Sequence, residues 1–235
     1  MRNSIVHKEF DIARKFGVEL ELGDEIKKRT VYQAITKFSH HKAYTSRYAL
    51  STNNEYWHIK DDSTCGRYGR LGPKGVEVAS FIASGINDLE HVAGTASHLT
   101  TIGCKVNDNC GLHIHVDASD LQIDQISTIV AYWIKSEFVL SMLLPLRRYQ
   151  NEYCKFIFSP FLEIMNKNGP LCRKEKYNSM DFWTIIEPKN VGYFENPEKR
   201  HNLNLVNYKR AIQFNSNIRK TLELRSVSYT HLTLP

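Results

Sequence analysis

The sequence predicts a mixed α+β domain, with helices covering the apolar face of a sheet and leaving a charged face open. Two observations predict it. Four stretches, residues 16–22, 75–80, 110–116 and 221–225, alternate apolar with polar residues, and their polar sets are built around Glu, His and Arg. Between them lie segments with apolar residues at helical spacing, and turn signals are sparse. Successive strand side chains point to opposite faces, so each stretch sets Val, Leu and Ile against its ionisable groups. On a shared sheet the second face gathers Glu19, Glu21, Glu77, Glu223, His113, His115 and Arg225. Four carboxylates on one surface repel each other unless cations sit among them, which points to a metal-dependent active site.

The elements follow in order. After the first strand, Val31, Ala34, Ile35 and Phe38 predict a helix over 30–38, with Thr30 and Gln33 as its capping box. Residues 56–60 read as a short strand followed by Asp61, Asp62 and Ser63. Residues 65–75, with Arg67, Arg70 and Lys74 among four glycines and a proline, read as a flexible basic loop. Helical spacing of Ile86, Leu89, Val92, Ala96, Leu99 and Ile102 predicts a helix over 84–102, ended by Gly103. The longest helix is expected over 119–144, with Ser119 and Gln122 as a capping box and Pro145 as its stop. Residues 146–200 are aromatic, weakly periodic and loop-rich, and read as a lobe or lid over the sheet.

Composition narrows the class. At 235 residues, 42% hydrophobic and 24% charged, the chain is long enough to bury a real core. Five cysteines without a C-x-x-C spacing argue against a disulfide framework or a zinc ribbon and for a reducing compartment. No apolar leader opens the chain and no apolar run could span a bilayer, so a cytoplasmic protein with no membrane partner is expected. A net charge of +6 and a pI near 9.0 favour anionic ligands, or simply a Lys- and Arg-solvated surface.

Glu19 and Glu21 emerge about 7 Å apart on one strand face, where Glu is otherwise depleted. Taken singly, each feature has a plainer reading: an exposed acidic strand, a solvated H-x-H, a cross-strand pair of Glu223 and Arg225. Together, an oxygen-rich set with an imidazole suits Mg²⁺ or Mn²⁺, and Arg225 suits an incoming phosphate. Cys110 reads as a small buried residue rather than a nucleophile. Two alternatives stay open: a cupin-like metal-dependent hydrolase or oxygenase using His113 and His115, and a non-catalytic basic module for nucleic acid built on the loop 67–74.

The wording and order of these segments resemble a known family. F-G-V-E-L-E, W-x-I-K-D-x-S from Trp57, G-V-E-V-A-S, V-N-x-x-C-G-L-H-I-H-V from Val106, R-R-x-x-N-x-Y-C from Arg147, L-N-L around Asn204 and T-L-E-L-R are similar to the amidoligases. These belong to the glutamine synthetase and glutamate–cysteine ligase superfamily of carboxylate–amine ligases. The resemblance implies a curved antiparallel sheet like that of the glutamine synthetase catalytic domain, with helices on the convex side. It implies an ATP-dependent ligase that forms an amide through an acyl-phosphate, with Mg²⁺ or Mn²⁺ as cofactor. Glu19, His113 and Glu223 would hold the metal at the ATP phosphates, and Glu21 and Glu77 the metal beside the substrate carboxylate. Arg225 would stabilise the transferring phosphoryl group and His115 would contact phosphate. Arg70 and Lys74 are further candidate phosphate contacts, although no P-loop is present. Asn107, Arg148 and Asn204 would shape the pocket for a small-molecule or peptide carboxylate and an amine; nucleic acid is not expected. The resemblance makes residues 1–225 one catalytic domain that stops short of further helices, and residues 226–235 read as a non-native tail.

Overall fold

The structure, a computed structural model, describes residues 13–46, 55–66, 72–142, 203–204 and 220–226. Two compact units divide between Val116 and Asp117. In the first, strands β1 (Phe16–Leu22), β2 (Ala43–Ser46), β3 (Trp57–Asp62), β4 (Gly75–Ala79) and β5 (Leu112–Asp117) lie in the order β2-β3-β4-β1-β5. Alternation places three of these strands as expected. Antiparallel pairing holds for β3 with β4, β4 with β1, and β1 with β5. The expectation of a wholly antiparallel sheet is corrected at its edge, where β2 runs parallel to β3 with Ala43 opposite Trp57. Parallel neighbours need a crossover rather than a hairpin. Four residues with no core alternation, Ala43 to Ser46, carried no sign of this strand.

One sheet face is apolar. Val18, Leu20 and Leu22 of β1, Trp57 and Ile59 of β3, and Val76 and Val78 of β4 form a buried cluster with α1 (Lys28–Phe38) and α2 (Gly85–Thr101). Val31 and Ile35 of α1 and Leu99 of α2 are almost fully buried there. Burial of such a stripe, rather than capping, holds α1 in place. Its N-cap is Lys27 with no side-chain cap bond, so Thr30 already lies within the helix and the Thr30/Gln33 box is not formed. Gly103, with φ near 92°, takes the left-handed conformation that ends α2. Beyond β4 the chain turns back along β1: the Ser80 amide reaches the Val18 carbonyl at 2.8 Å. The Ser80 hydroxyl accepts the Val18 N–H at 2.9 Å, giving the serine of the G-V-E-V-A-S segment a structural task.

The second unit holds α3 (Ile123–Ser141), β6 (Leu203–Asn204) and β7 (Thr221–Ser226). Ile126, Val130 and Ile134 of α3 bury against Leu222 of β7 and Ala118. The α3 start differs from expectation: Gln122 is the N-cap, and its N–H donates to Gln125 Oε1 at 2.8 Å. Ser119 instead bonds Asp117 in a turn before the helix, through its amide and hydroxyl at 3.1 Å each. β6 and β7 pair antiparallel, Asn204 opposite Glu223. No helix among the described residues is long and apolar enough to cross a membrane.

Candidate functional site

Strand register assembles the polar face of the first unit. Glu21 lies directly opposite Glu77 on one side of β1, and Glu19 directly opposite His113 on the other. His115 is opposite Gly17, and Lys60 is opposite Glu77. These pairings place Glu19, Glu21, Glu77, His113 and His115 on neighbouring strands with side chains on one face. Glu19 sits between the imidazoles, its Oε2 3.2 Å from His113 Nδ1 and its Oε1 3.2 Å from His115 Nε2. Across the same cluster, His113 Nε2 stands 4.0 Å from Glu21 Oε1. Glu21 and Glu77 are both buried.

The β5 end of this face is held by an Asx turn. Asn107 Oδ1 accepts the Asn109 N–H at 2.8 Å, and its Nδ2 donates to the Cys65 carbonyl at 2.8 Å. Asn109 Nδ2 donates to the Gly66 carbonyl at 2.9 Å. This stitching joins the loop after β3 to the segment before β5 and brings the Gly111 N–H to Glu21 Oε2 at 2.6 Å. A Cβ on Gly111 would lie 2.9 Å from His113 Nε2 and 3.2 Å from Glu21 Oε2, so this glycine allows the close approach. Cys110 is fully buried.

The carboxyls are not equivalent electrically. Burial acts to raise Glu19, but the hydrogen bonds and charges of His113 and His115 outweigh it and hold the group well below the usual carboxylate range. Burial raises Glu21 against the opposing effects of His113 and the Gly111 amide. Burial, followed by the charge of Glu19, pushes Glu77 up to about 7 despite Lys60. One face therefore carries a firmly ionised acid beside two that resist ionisation.

Three residues on or beside this face were missed by sequence reasoning. Lys60 Nζ contacts Glu77 Oε1 at 2.7 Å. Asp62 shares that face of β3, and burial, which would raise its carboxyl, is outweighed by hydrogen bonds from the Thr64 hydroxyl and amide at 2.6 and 2.7 Å. Cys65 completes a group with Glu21 and Asp62 whose ligand atoms lie within 4.8 Å of one another. Burial and the neighbouring Glu21 and Asp62 charges push the Cys65 thiol far up, so it is a protonated neighbour rather than a ready thiolate. The available signal was period two: extending the strand past Lys60 puts His58, Lys60 and Asp62 together and turns Asp61 to the other side. There Asp61 pairs with Lys28 of α1 at 2.6 Å.

Lys74 is exposed just before β4. Arg70 and Arg148 lie outside the described residues, as do residues 146–200 and 227–235. In the second unit, Glu223 on β7 is buried, Arg225 follows it on the same strand, and Asn204 lies on β6.

The donor set fits a hard divalent cation. Carboxylate oxygens dominate, one or two imidazoles accompany them, and the neighbouring thiol is held protonated. No curated protein and no solved structure is a match for the chain. The model of a protein family described as "Putative amidoligase enzyme" matches residues 13–228, a span that takes in every strand found among the described residues. The chain belongs to that amidoligase family.

Proposed function

We propose that this protein is an ATP-dependent carboxylate–amine ligase that activates its acid as an acyl-phosphate and releases an amide. The observation that carries the reading is the rung register: Glu21 faces Glu77, and Glu19 faces His113, on adjacent strands. Like charges directly opposite each other destabilise a sheet. A sheet that nonetheless buries them gains from cations that neutralise them. Glu19, Glu21, Glu77 and His113 are the proposed holders of Mg²⁺ or Mn²⁺. When bound, the metal draws charge from the phosphoryl oxygens and aligns the two reacting groups.

The chain's own residues supply the rest. The Gly111 amide fixes one oxygen of Glu21 and leaves the other directed toward His113. His113 and His115 keep Glu19 ionised, ready to accept a cation without first losing a proton. His115, beyond Glu19 on the same face, is the proposed contact for a phosphate. The family's ligase character supports amide formation, and the oxygen-rich donors support magnesium rather than the softer metals expected of a redox or zinc centre.

The test is release of ADP from ATP in the presence of Mg²⁺ or Mn²⁺, over a panel of carboxylates and amines. Turnover should require both substrates and a metal, and Glu21→Ala should abolish it while far-UV circular dichroism stays unchanged. Full activity in Glu21→Ala, or turnover undiminished by EDTA, refutes the reading.

A further inference from the structure

We propose that Lys60 is a tethered counter-ion that holds the Glu77 carboxylate until a divalent cation arrives, and then gives it up. The proposal rests on the reading above, since it takes Glu77 as part of a cation site. Across β3, β4 and β1 one rung reads Lys60, Glu77, Glu21. Lys60 is the only Lys or Arg on this face among the described strand residues of the first unit. Its ammonium lies 2.7 Å from Glu77 Oε1, and its side chain is 32% exposed while that of Glu77 is 7% exposed. The ammonium therefore stands where it neutralises the buried acid facing Glu21.

A divalent ion shared by Glu77 and Glu21 needs those same oxygens. Two cations on one buried carboxylate repel each other, and in a partly desolvated cluster that repulsion is poorly screened. Lys60 can leave without backbone movement because a flexible four-carbon stem carries its compact charge. Asp62, two residues along the same strand face, hydrogen-bonds Glu77 and already attracts the Lys60 charge, so it offers the ammonium another carboxylate close at hand. A guanidinium would hold Glu77 through a planar fork and leave less readily. Exchange of this kind keeps the Glu77 charge compensated both before and after the metal binds.

The experiment measures Mn²⁺ binding to metal-free, full-length protein by electron paramagnetic resonance at fixed ionic strength. Lys60→Met keeps the stem and removes the charge, and Mn²⁺ should bind at least about tenfold more tightly than to wild type; Lys60→Arg should bind no more tightly than wild type. Unchanged or weaker binding in Lys60→Met overturns the proposal while leaving the metal site standing, because it makes Lys60 a support for Glu77. No Mn²⁺ binding by wild type sinks both the site and the exchange. Wild-type protein gives a second readout that needs no variant. Acetylation of Lys60 by acetic anhydride, followed by mass spectrometry, should rise severalfold when Mn²⁺ is added. Labelling that stays flat or falls contradicts release of the ammonium.

Discussion

Replacing Gly75 with alanine tests the packing that brings the loop after β3 onto β1 and β4. A Cβ built at Gly75 collides with the Leu22 carbonyl oxygen, and it lies 2.6 Å from Cys65 Cβ and 2.9 Å from the Cys65 carbonyl carbon. Ordinary carbon contacts fall at about 3.5–4.0 Å, so the overlap is roughly 1 Å. Two of the three obstacles are backbone atoms, which cannot swing aside as a side-chain tip does. Overpacking of this sort costs about 1–3 kcal/mol, and backbone obstruction places Gly75→Ala at the upper end. Gly17, on β1, is the control, because a Cβ there meets nothing within 4 Å. Removing its unfolded-state freedom should stabilise by about 0.4–1 kcal/mol. The two variants should thus differ by roughly 3.5 kcal/mol. With an m-value of about 3 kcal/mol/M in urea, their midpoints should separate by roughly 1 M. Coincident midpoints in tryptophan-fluorescence unfolding curves refute the argument, since the two substitutions differ in little except what surrounds the new methyl group.

Three more outcomes follow from single groups. Ser39 Oγ accepts N–H bonds from Trp57 Nε1 at 2.9 Å and from the His41 amide at 3.0 Å, so its own proton goes to His91 Nε2 at 2.8 Å. Ser39→Ala should therefore cost about 1–3 kcal/mol by stranding the indole N–H of buried Trp57, and chemical denaturation reads this directly. His91 must be neutral to accept that bond, and burial, then His40 and His41, hold it below its ordinary value. The unfolded chain then binds the extra proton first, so the stability advantage of wild type over His91→Gln should shrink as pH falls from 7 towards 5. An advantage that grows on acidification contradicts this. Glu77, pushed up to about 7, must lose its proton before it can ligate. Apparent Mn²⁺ affinity should accordingly rise by roughly tenfold per pH unit up to about pH 7 and then level; calorimetry showing a flat profile between pH 5.5 and 7 counts against Glu77 as a ligand.

Much of the first unit was legible in the sequence because its strands are buried on one face and acidic on the other. Phe16 to Leu22 could be read from alternation alone, and the same rule located β4, β5 and β7. It also named Glu19, Glu21, Glu77, His113 and His115 as sharing a face before any register was known. Asp62 escaped because consecutive aspartates are poor strand formers, and the pattern supports a strand only to Lys60. Strand β2 escaped because its residues, half-exposed at the sheet edge, need no core pattern. Both helix starts were misplaced for one reason. Thr30 and Ser119 are good capping residues by type, yet helix position is decided by the buried stripe, Val31 with Ile35 and Ile126 with Val130. The closeness of Asn107 to Cys65 depends on a fold-back between segments 42 residues apart in sequence, and no local pattern encodes it.

The central position of β1 ties chemistry and folding to a single frame. Both of its neighbours read its residues in pairs, so deleting or inserting one residue between Phe16 and Glu21 would trade inside for outside along part of the strand. Leucines would be turned to water and glutamates into the oily interior at once. Mutational scans of this strand should therefore tolerate changes of residue type far better than changes of length, and length variants should be lost as insoluble protein before any catalytic defect could be measured.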